Sequence, residues 1–190
     1  MHPPSIHNNP IVQQDPFGTV IVSEFRNDYH FLSNFFPATL IWKDVEFPTS
    51  EHAYQWAKTL IPEEQDYILY NIQDNGNGPV KSPTTPGQAK RRGTEVHLRD
   101  DWNQIKVEVM REILLAKFTQ NWGLRQKLLA TEDAFLIEGN TWHDNYWGSC
   151  VCKPCGNKGS NVLGALLMSV RTALKGPSAL FCHGCPICDE

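Results

Sequence analysis

Three stretches carry residue types at spacings that could do chemistry. Around position 51 a carboxylate, an amide and an ammonium recur with helical period: Glu51, Gln55 and Lys58 stand at i, i+4 and i+7, so they share one face of any helix that holds them. Two readings fit that stripe. It is an ordinary solvated face, or it is one wall of a polar cleft with Glu51 near the helix start as acid, base or ion stabiliser. The second stretch, Trp142-His143-Asp144-Asn145-Tyr146-Trp147-Gly148, mixes ring faces with hydrogen-bonding groups. Such a loop suits a planar heterocycle stacked on an aromatic and held by an acid. The third, Gly156-Asn157-Lys158-Gly159-Ser160-Asn161, precedes a helical pattern, where free N–H groups favour an anion such as phosphate. It lacks the order of a Walker A loop. No G-x-S-x-G elbow and no H-E-x-x-H pair is present, which weighs against serine hydrolases and zincins. His52 and His143 read as plain candidates for local hydrogen bonding.

Cysteine adds a fourth group. All six stand late in the chain, at 150, 152, 155, 182, 185 and 188. The knuckles Cys152–Cys155 and Cys185–Cys188 would together supply four thiolates, which suits a tetrahedral, structural Zn²⁺ with a closed shell. Cys150 and Cys182 are possible substitutes, and His183 adds a further donor. A disulfide framework is the weaker reading, because such cysteines are usually spread through a small secreted domain. The first residues show neither the cationic start nor the apolar run of an export signal, so a cytoplasmic protein is expected.

The elements that must position these groups can be read from pattern. With 190 residues, 41% hydrophobic and 20% charged, one globular domain is expected and wholesale disorder is not. Net charge is 17 − 21 = −4, which argues against general binding to a phosphate backbone and leaves local strips such as Lys90-Arg91-Arg92. No apolar run is long enough to span a bilayer. Residues 1–16 are polar and proline-rich and read as a flexible arm. Strands are expected at 20–22, 40–42, 45–47 and 134–138. A helix capped by Thr49 or Ser50 should run to about Leu60, burying Ala53, Trp56, Ala57 and Leu60. Residues 71–88 read as a long loop dense in turn formers. Further helices are expected after Asp100 or Asp101, around 124–129, and from about Ser160. The mixture lacks βαβ alternation, so the fold class is α+β: a mainly helical domain with a small sheet. That domain should span 17–175, with a cysteine-rich clip made of 150–155 and 176–190.

These blocks taken together resemble the NADAR, or YbiA-like, family. The matching stretches are Phe31-Leu32-Ser33-Asn34-Phe35-Phe36-Pro37 and Phe47-Pro48-Thr49-Ser50-Glu51-His52-Ala53-Tyr54-Gln55-Trp56-Ala57-Lys58. Others are Asp101-Trp102 with Lys106 and Val109-Met110, Asp144-Asn145-Tyr146-Trp147-Gly148, and Gly159-Ser160-Asn161-Val162-Leu163-Gly164 with Leu167-Met168 and Arg171. The resemblance implies an α+β fold and hydrolysis of N-glycosidic bonds. Its known branches act on ribosylated pyrimidine intermediates of riboflavin synthesis, or remove ADP-ribose from modified guanine. Carried over by position, Glu51 and Asp144 are the expected catalytic residues. Asn34, Gln55, Lys58, Lys106, Trp147, Gly148 and Asn161 are the expected substrate contacts. Sugar phosphates would meet Lys58, Lys106, Arg91, Arg92 or the 159–161 helix start. No organic cofactor is implied. The partner would be a ribosylated or ADP-ribosylated small molecule or nucleobase, with nucleic acid also in view. A non-catalytic ADP-ribose or NAD module and a zinc-stabilised adaptor are the competing readings. The chain departs from the family where Cys150 to Cys155 fill a connection that is usually a short glycine loop, and where residues 88–94 lack an expected Gly-Arg pair.

Overall fold

The β-branched run Val20-Ile21-Val22 forms a strand, and its pairing explains the small sheet. The computed structural model describes residues 11–176. Strand β1 (Val12–Gln14) runs antiparallel to β2 (Val20–Val22), and β2 runs parallel to β7 (Phe135–Leu136), with Val22 opposite Leu136. Residues 12–14 are therefore sheet, which corrects the expected arm over 1–16: Val12 and Ile21 have β-branched chains to pack, and the ladder uses their backbone groups. Strands β3 (Leu40–Trp42) and β4 (Val45–Phe47) make a hairpin. Its turn residues Lys43 and Asp44 both take positive φ, 51° and 61°, the backbone that a two-residue hairpin turn of matching twist requires.

Helix α1 (Ser50–Trp56) starts where expected, because the Thr49 hydroxyl accepts the His52 N–H. It ends a turn early. Thr59 donates its hydroxyl to Glu64, and its carbonyl accepts from Gln65. These bonds swing the chain into α2 (Pro62–Leu69) and leave Leu60 66% exposed, outside the core stripe it was expected to complete. His52 is buried and structural. It bonds Thr49 Oγ1 at 2.8 Å through Nδ1 and the Thr84 carbonyl at 2.9 Å through Nε2.

The expected loop over 71–88 is instead a hairpin and a helix. Strands β5 (Tyr70–Asp74) and β6 (Pro79–Pro83) pair antiparallel. Helix α3 (Pro86–Arg92) follows, started by a reciprocal cap between Thr85 and Gln88. The turn formers of this stretch are concentrated at the hairpin tip, and its strands are mostly exposed, so no hydrophobic alternation marks them.

Helix α4 (Trp102–Gln120) is the central strut. Val109, Met110, Ile113, Leu114 and Phe118 share one core with Ala53 of α1, with Ala57 just after it, and with Leu163, Leu167, Val170 and Leu174 of α6 (Val162–Lys175). Helix α5 (Trp122–Leu129) closes one end, and β8 (Gly139–Asn140) pairs parallel with β9 (Ser149–Cys150). Among the described residues no helix is long and apolar enough to cross a membrane.

The core also holds a lysine. Lys117 on α4 is wholly buried, and its ammonium donates to the Ser33 carbonyl at 2.9 Å. Burial pushes its pKa from 10.5 down to about 7. Above pH 7 the unfolded lysine still holds its proton while the folded one releases it, so the unfolded chain binds more protons. Stability should therefore rise from pH 7 towards pH 9. Lys117→Met should flatten that rise when urea midpoints of parent and variant are compared across the interval.

Candidate active site

Helix α1 presents its polar stripe inward, against α3 and the turn after a short 3₁₀ helix (Asn27–Leu32). The Glu51 N–H donates to the Asn34 carbonyl at 3.0 Å, tying that turn to the helix start. Glu51 is only 6% exposed, and Gln55 donates its amide to Oε1 at 2.7 Å. A β-carbon on Gly93 would come within 2.0 Å of the Gln55 amide oxygen, so α3 ends close against this stripe and a side chain there would displace the Gln55 amide. The solvated-face reading of Glu51 and Gln55 is thus excluded. Burial raises the Glu51 pKa against the Gln55 hydrogen bond and the charges of Lys90 and Lys58, and Asp144 raises it further. Lys58 is half-buried; it donates to the Gly93 carbonyl at 3.2 Å and lies over the Tyr54 ring.

These groups line a cleft of about 790 Å³, within the range of small-molecule sites. Across from α1 stands the loop between β8 and β9. Asp144 Oδ1 accepts the N–H groups of Tyr146 and Trp147 at 3.1 and 2.9 Å, while the Asn140 amide brackets the Asp144 backbone from both sides. Oδ1 is committed to the loop, so Oδ2 is the oxygen left to meet a ligand. The Trp147 indole meets Tyr54 edge-on at 5.3 Å, and Tyr54 packs on Trp102 at 5.0 Å. Glu138, just after β7, also lines the cleft, with Lys90 and Lys106. Its Oε2 is buried and meets no hydrogen-bond partner among the described residues. Burial, with Asp144 adding to it, pushes the Glu138 pKa up to about 7.

The polar α1 wall, the Asp144–Trp147 loop and the chain order of these blocks coincide with a known domain: residues 22–175 match the NADAR domain. The chain belongs to the NADAR family. It is 38% identical over 149 residues to N-glycosidase YbiA of Shigella flexneri, covering 78% of this chain and 83% of that protein. To N-glycosidase Npun_R5314 of Nostoc punctiforme it is 34% identical over 161 residues, 83% of this chain and 93% of that protein. The fold is similar to the NMR structure of the Escherichia coli protein YbiA, with a TM-score of 0.66 at 33% identity, covering 91% of this chain and 93% of that one.

Within the NADAR cleft, Glu51, Asp144, Asn34, Gln55, Lys58, Lys106 and Trp147 all come together. Gly148 and Asn161 do not line it. A β-carbon on Gly148 would lie 2.3 Å from the Glu138 carbonyl, so the glycine permits two backbones to meet. Asn161, in the left-handed conformation at φ 50°, accepts the Glu138 N–H and donates to the Leu136 carbonyl. It fixes Glu138 from behind. The helix start offers no anion site either. The N–H groups of Ser160, Asn161, Val162 and Leu163 donate to the carbonyls of Asn145, Gly148, Tyr146 and Trp147, so they hold the Asp144–Trp147 loop. Arg91 pairs with Glu95, and Arg92 ties Tyr67, Tyr70 and Asn71. Lys90 is the basic residue of that strip which faces the cleft.

Sequence reasoning missed Glu138 as a site residue. A signal existed: it stands two positions after Leu136, placing a carboxylate in register with a buried strand position. Cys152 and Cys155 come together, but with Cys150 and His143, a group that could hold a metal ion. His143 thereby leaves the class of plain hydrogen-bonding residues. Cys185 and Cys188 lie outside the described residues.

Proposed function

We propose that this NADAR chain is an N-glycosidase that hydrolyses the C–N bond between a phosphorylated ribosyl group and a nucleobase. The observation that carries this reading is the gathering of Glu51, Glu138 and Asp144 in one aromatic-lined cleft with three lysines. Breaking a ribosyl C–N bond builds positive charge on the sugar ring, which a fixed carboxylate stabilises. Glu51 suits that place. Its raised pKa also makes it a stronger base for the attacking water. As the oxygen of water bonds to the anomeric carbon, Glu51 takes the water's proton. The C–N bonding pair leaves with the base, whose nitrogen takes a proton from Glu138, a carboxyl whose pKa is pushed up to about 7 and which keeps its proton below that value. The protons balance. Asp144 and the Trp147–Tyr54 pair hold the heterocycle, and Lys58, Lys90 and Lys106 meet sugar phosphates.

The substrate is either ADP-ribosylated guanine or a ribosylated aminopyrimidine phosphate. Incubation with ADP-ribosylated guanine DNA, ribosylated aminopyrimidine phosphates, NAD and ADP-ribose, followed by mass spectrometry, tests the proposal. Release of ADP-ribose from the first, leaving unmodified guanine in the DNA, or of free base from the second, is expected. Tight nucleotide binding with neither ADP-ribose nor base released from any of them would replace the enzyme with a binding module.

A further inference from the structure

We propose that His143, Cys150, Cys152 and Cys155 form a closed tetrahedral site for Zn²⁺ within a single loop, and that this site positions Asp144 and Trp147. Three sulfurs and one imidazole nitrogen converge. His143 Nδ1 lies 3.3 Å from Cys155 Sγ, 3.4 Å from Cys152 Sγ and 4.0 Å from Cys150 Sγ. The Cys150 and Cys152 sulfurs are 3.2 Å apart, and all four donor atoms lie within 4.8 Å of one another. A tetrahedron with Zn–S of about 2.3 Å and Zn–N of about 2.0 Å has edges of roughly 3.5–3.8 Å, so these atoms stand near the corners a zinc ion requires. A disulfide needs sulfurs about 2.05 Å apart and would use only two of the four groups. Thiolate and imidazole donors select Zn²⁺ and softer ions over Mg²⁺ or Ca²⁺.

The backbone is folded for this purpose. The N–H groups of Cys155 and Gly156 both donate to the Cys152 carbonyl, and Asn157 donates to the Cys150 carbonyl. Gly156 and Asn157 take positive φ, 61° and 57°, which wraps the chain back onto its own start. His143, at φ 66°, is likewise held in the left-handed region that most side chains avoid. Every donor thus comes from residues 143–155, and the shell is complete without Cys185 or Cys188. This is an alternative to the set pairing Cys152 and Cys155 with Cys185 and Cys188, the last two of which lie outside the described residues.

The consequence for the cleft follows from chain order. His143 is the neighbour of Asp144, and the Cys150 N–H donates to the Asn145 side chain at 3.0 Å. An ion joining 143 to 150 bolts both ends of the segment that carries Asp144 and Trp147. The metal itself stands outside the chemistry, with its four positions filled by protein. The positioning half of the inference rests on the proposed hydrolysis; the metal half does not.

The test uses the full chain with Cys182, Cys185 and Cys188 all changed to serine, reduced and loaded with Co²⁺. One Co²⁺ per chain is expected, with the intense visible bands of a tetrahedral thiolate site, bleached when Zn²⁺ is added. Adding His143→Ala or Cys152→Ser should weaken retention by about 100-fold or more, since losing even a group that only orients a ligand costs 10–100-fold. Failure of the serine chain to take up Co²⁺, with uptake restored by returning Cys185 and Cys188, would overturn the ligand set. Should the triple variant fold poorly, alkylation of the parent answers the same question. Cys152 and Cys155, which are part-exposed where Cys150 is buried, should be protected with Zn²⁺ and reactive after chelation while Cys185 and Cys188 react in both states, whereas equal reactivity of Cys152 and Cys155 in both states sinks the site. Removing the ion should also speed amide hydrogen exchange across 142–150 and raise KM for base release; unchanged exchange there would refute the positioning role. Metal retention is read without substrate, so its failure and that of the proposed reaction are separate results.

Discussion

Glu51→Gln is expected to lower the rate of base release about 1,000-fold or more while leaving the fold intact. The two side chains have the same shape, and a glutamine oxygen can still accept the Gln55 amide that Glu51 now accepts at 2.7 Å. Removing a buried charge should hold or raise the melting temperature, because the desolvation that lifts the Glu51 pKa disappears with the carboxylate. Substrate binding should survive, since Lys58, Lys90, Lys106 and Trp147 are untouched. The loss should then fall on kcat with KM little changed, the pattern of an interaction made only in the transition state. Quantifying released base by mass spectrometry, beside calorimetric binding, separates the two. Parent-rate release by a folded Glu51→Gln protein would remove Glu51 from the chemistry.

Glu138→Gln should reduce base release by about 10²–10⁴-fold, the usual worth of a positioned general acid. It should also change the pH profile. A carboxyl whose folded pKa is raised to about 7 keeps its proton below that value and loses it above, so parent kcat/KM should fall as pH rises through 7. The groups that act on it are named by the fold: burial and Asp144 favour the proton, with Glu24 adding slightly, and Lys90 and Arg26 oppose it. In the variant this falling limb should vanish. A substrate whose base leaves without protonation should be cleaved nearly as fast by variant as by parent. If the alkaline limb persists in Glu138→Gln, the proton comes from another group.

Much of the site was legible because helical and motif spacing are local. The i, i+4, i+7 stripe placed Glu51, Gln55 and Lys58 on one face, and all three do line the cleft. Spacing could not say which way that face points. The burial comes from Asn34, which accepts the Glu51 N–H, and from α3, whose Gly93 comes close against Gln55; these contacts span 17 and 38 positions of chain. The hairpin at 70–83 stayed hidden for a different reason. Its strands are polar and mostly exposed, and so carry no period of two.

The sequence by itself determined which residues could carry charge, metal or stacking, because those are properties of side-chain type. The tertiary structure decided which backbone and side-chain groups are already spent. Four N–H groups at the start of α6 looked ready for phosphate, yet they hold the carbonyls of residues 145–148. Asn161 looked like a ligand contact, yet both ends of its amide hold β7 and Glu138. Glu138 looked like the end of a strand, yet it faces a cleft with one oxygen unbonded among the described residues. A hydrogen-bonding group serves a ligand only if folding leaves it unpaired, and pairing is settled by contacts between segments far apart in the chain.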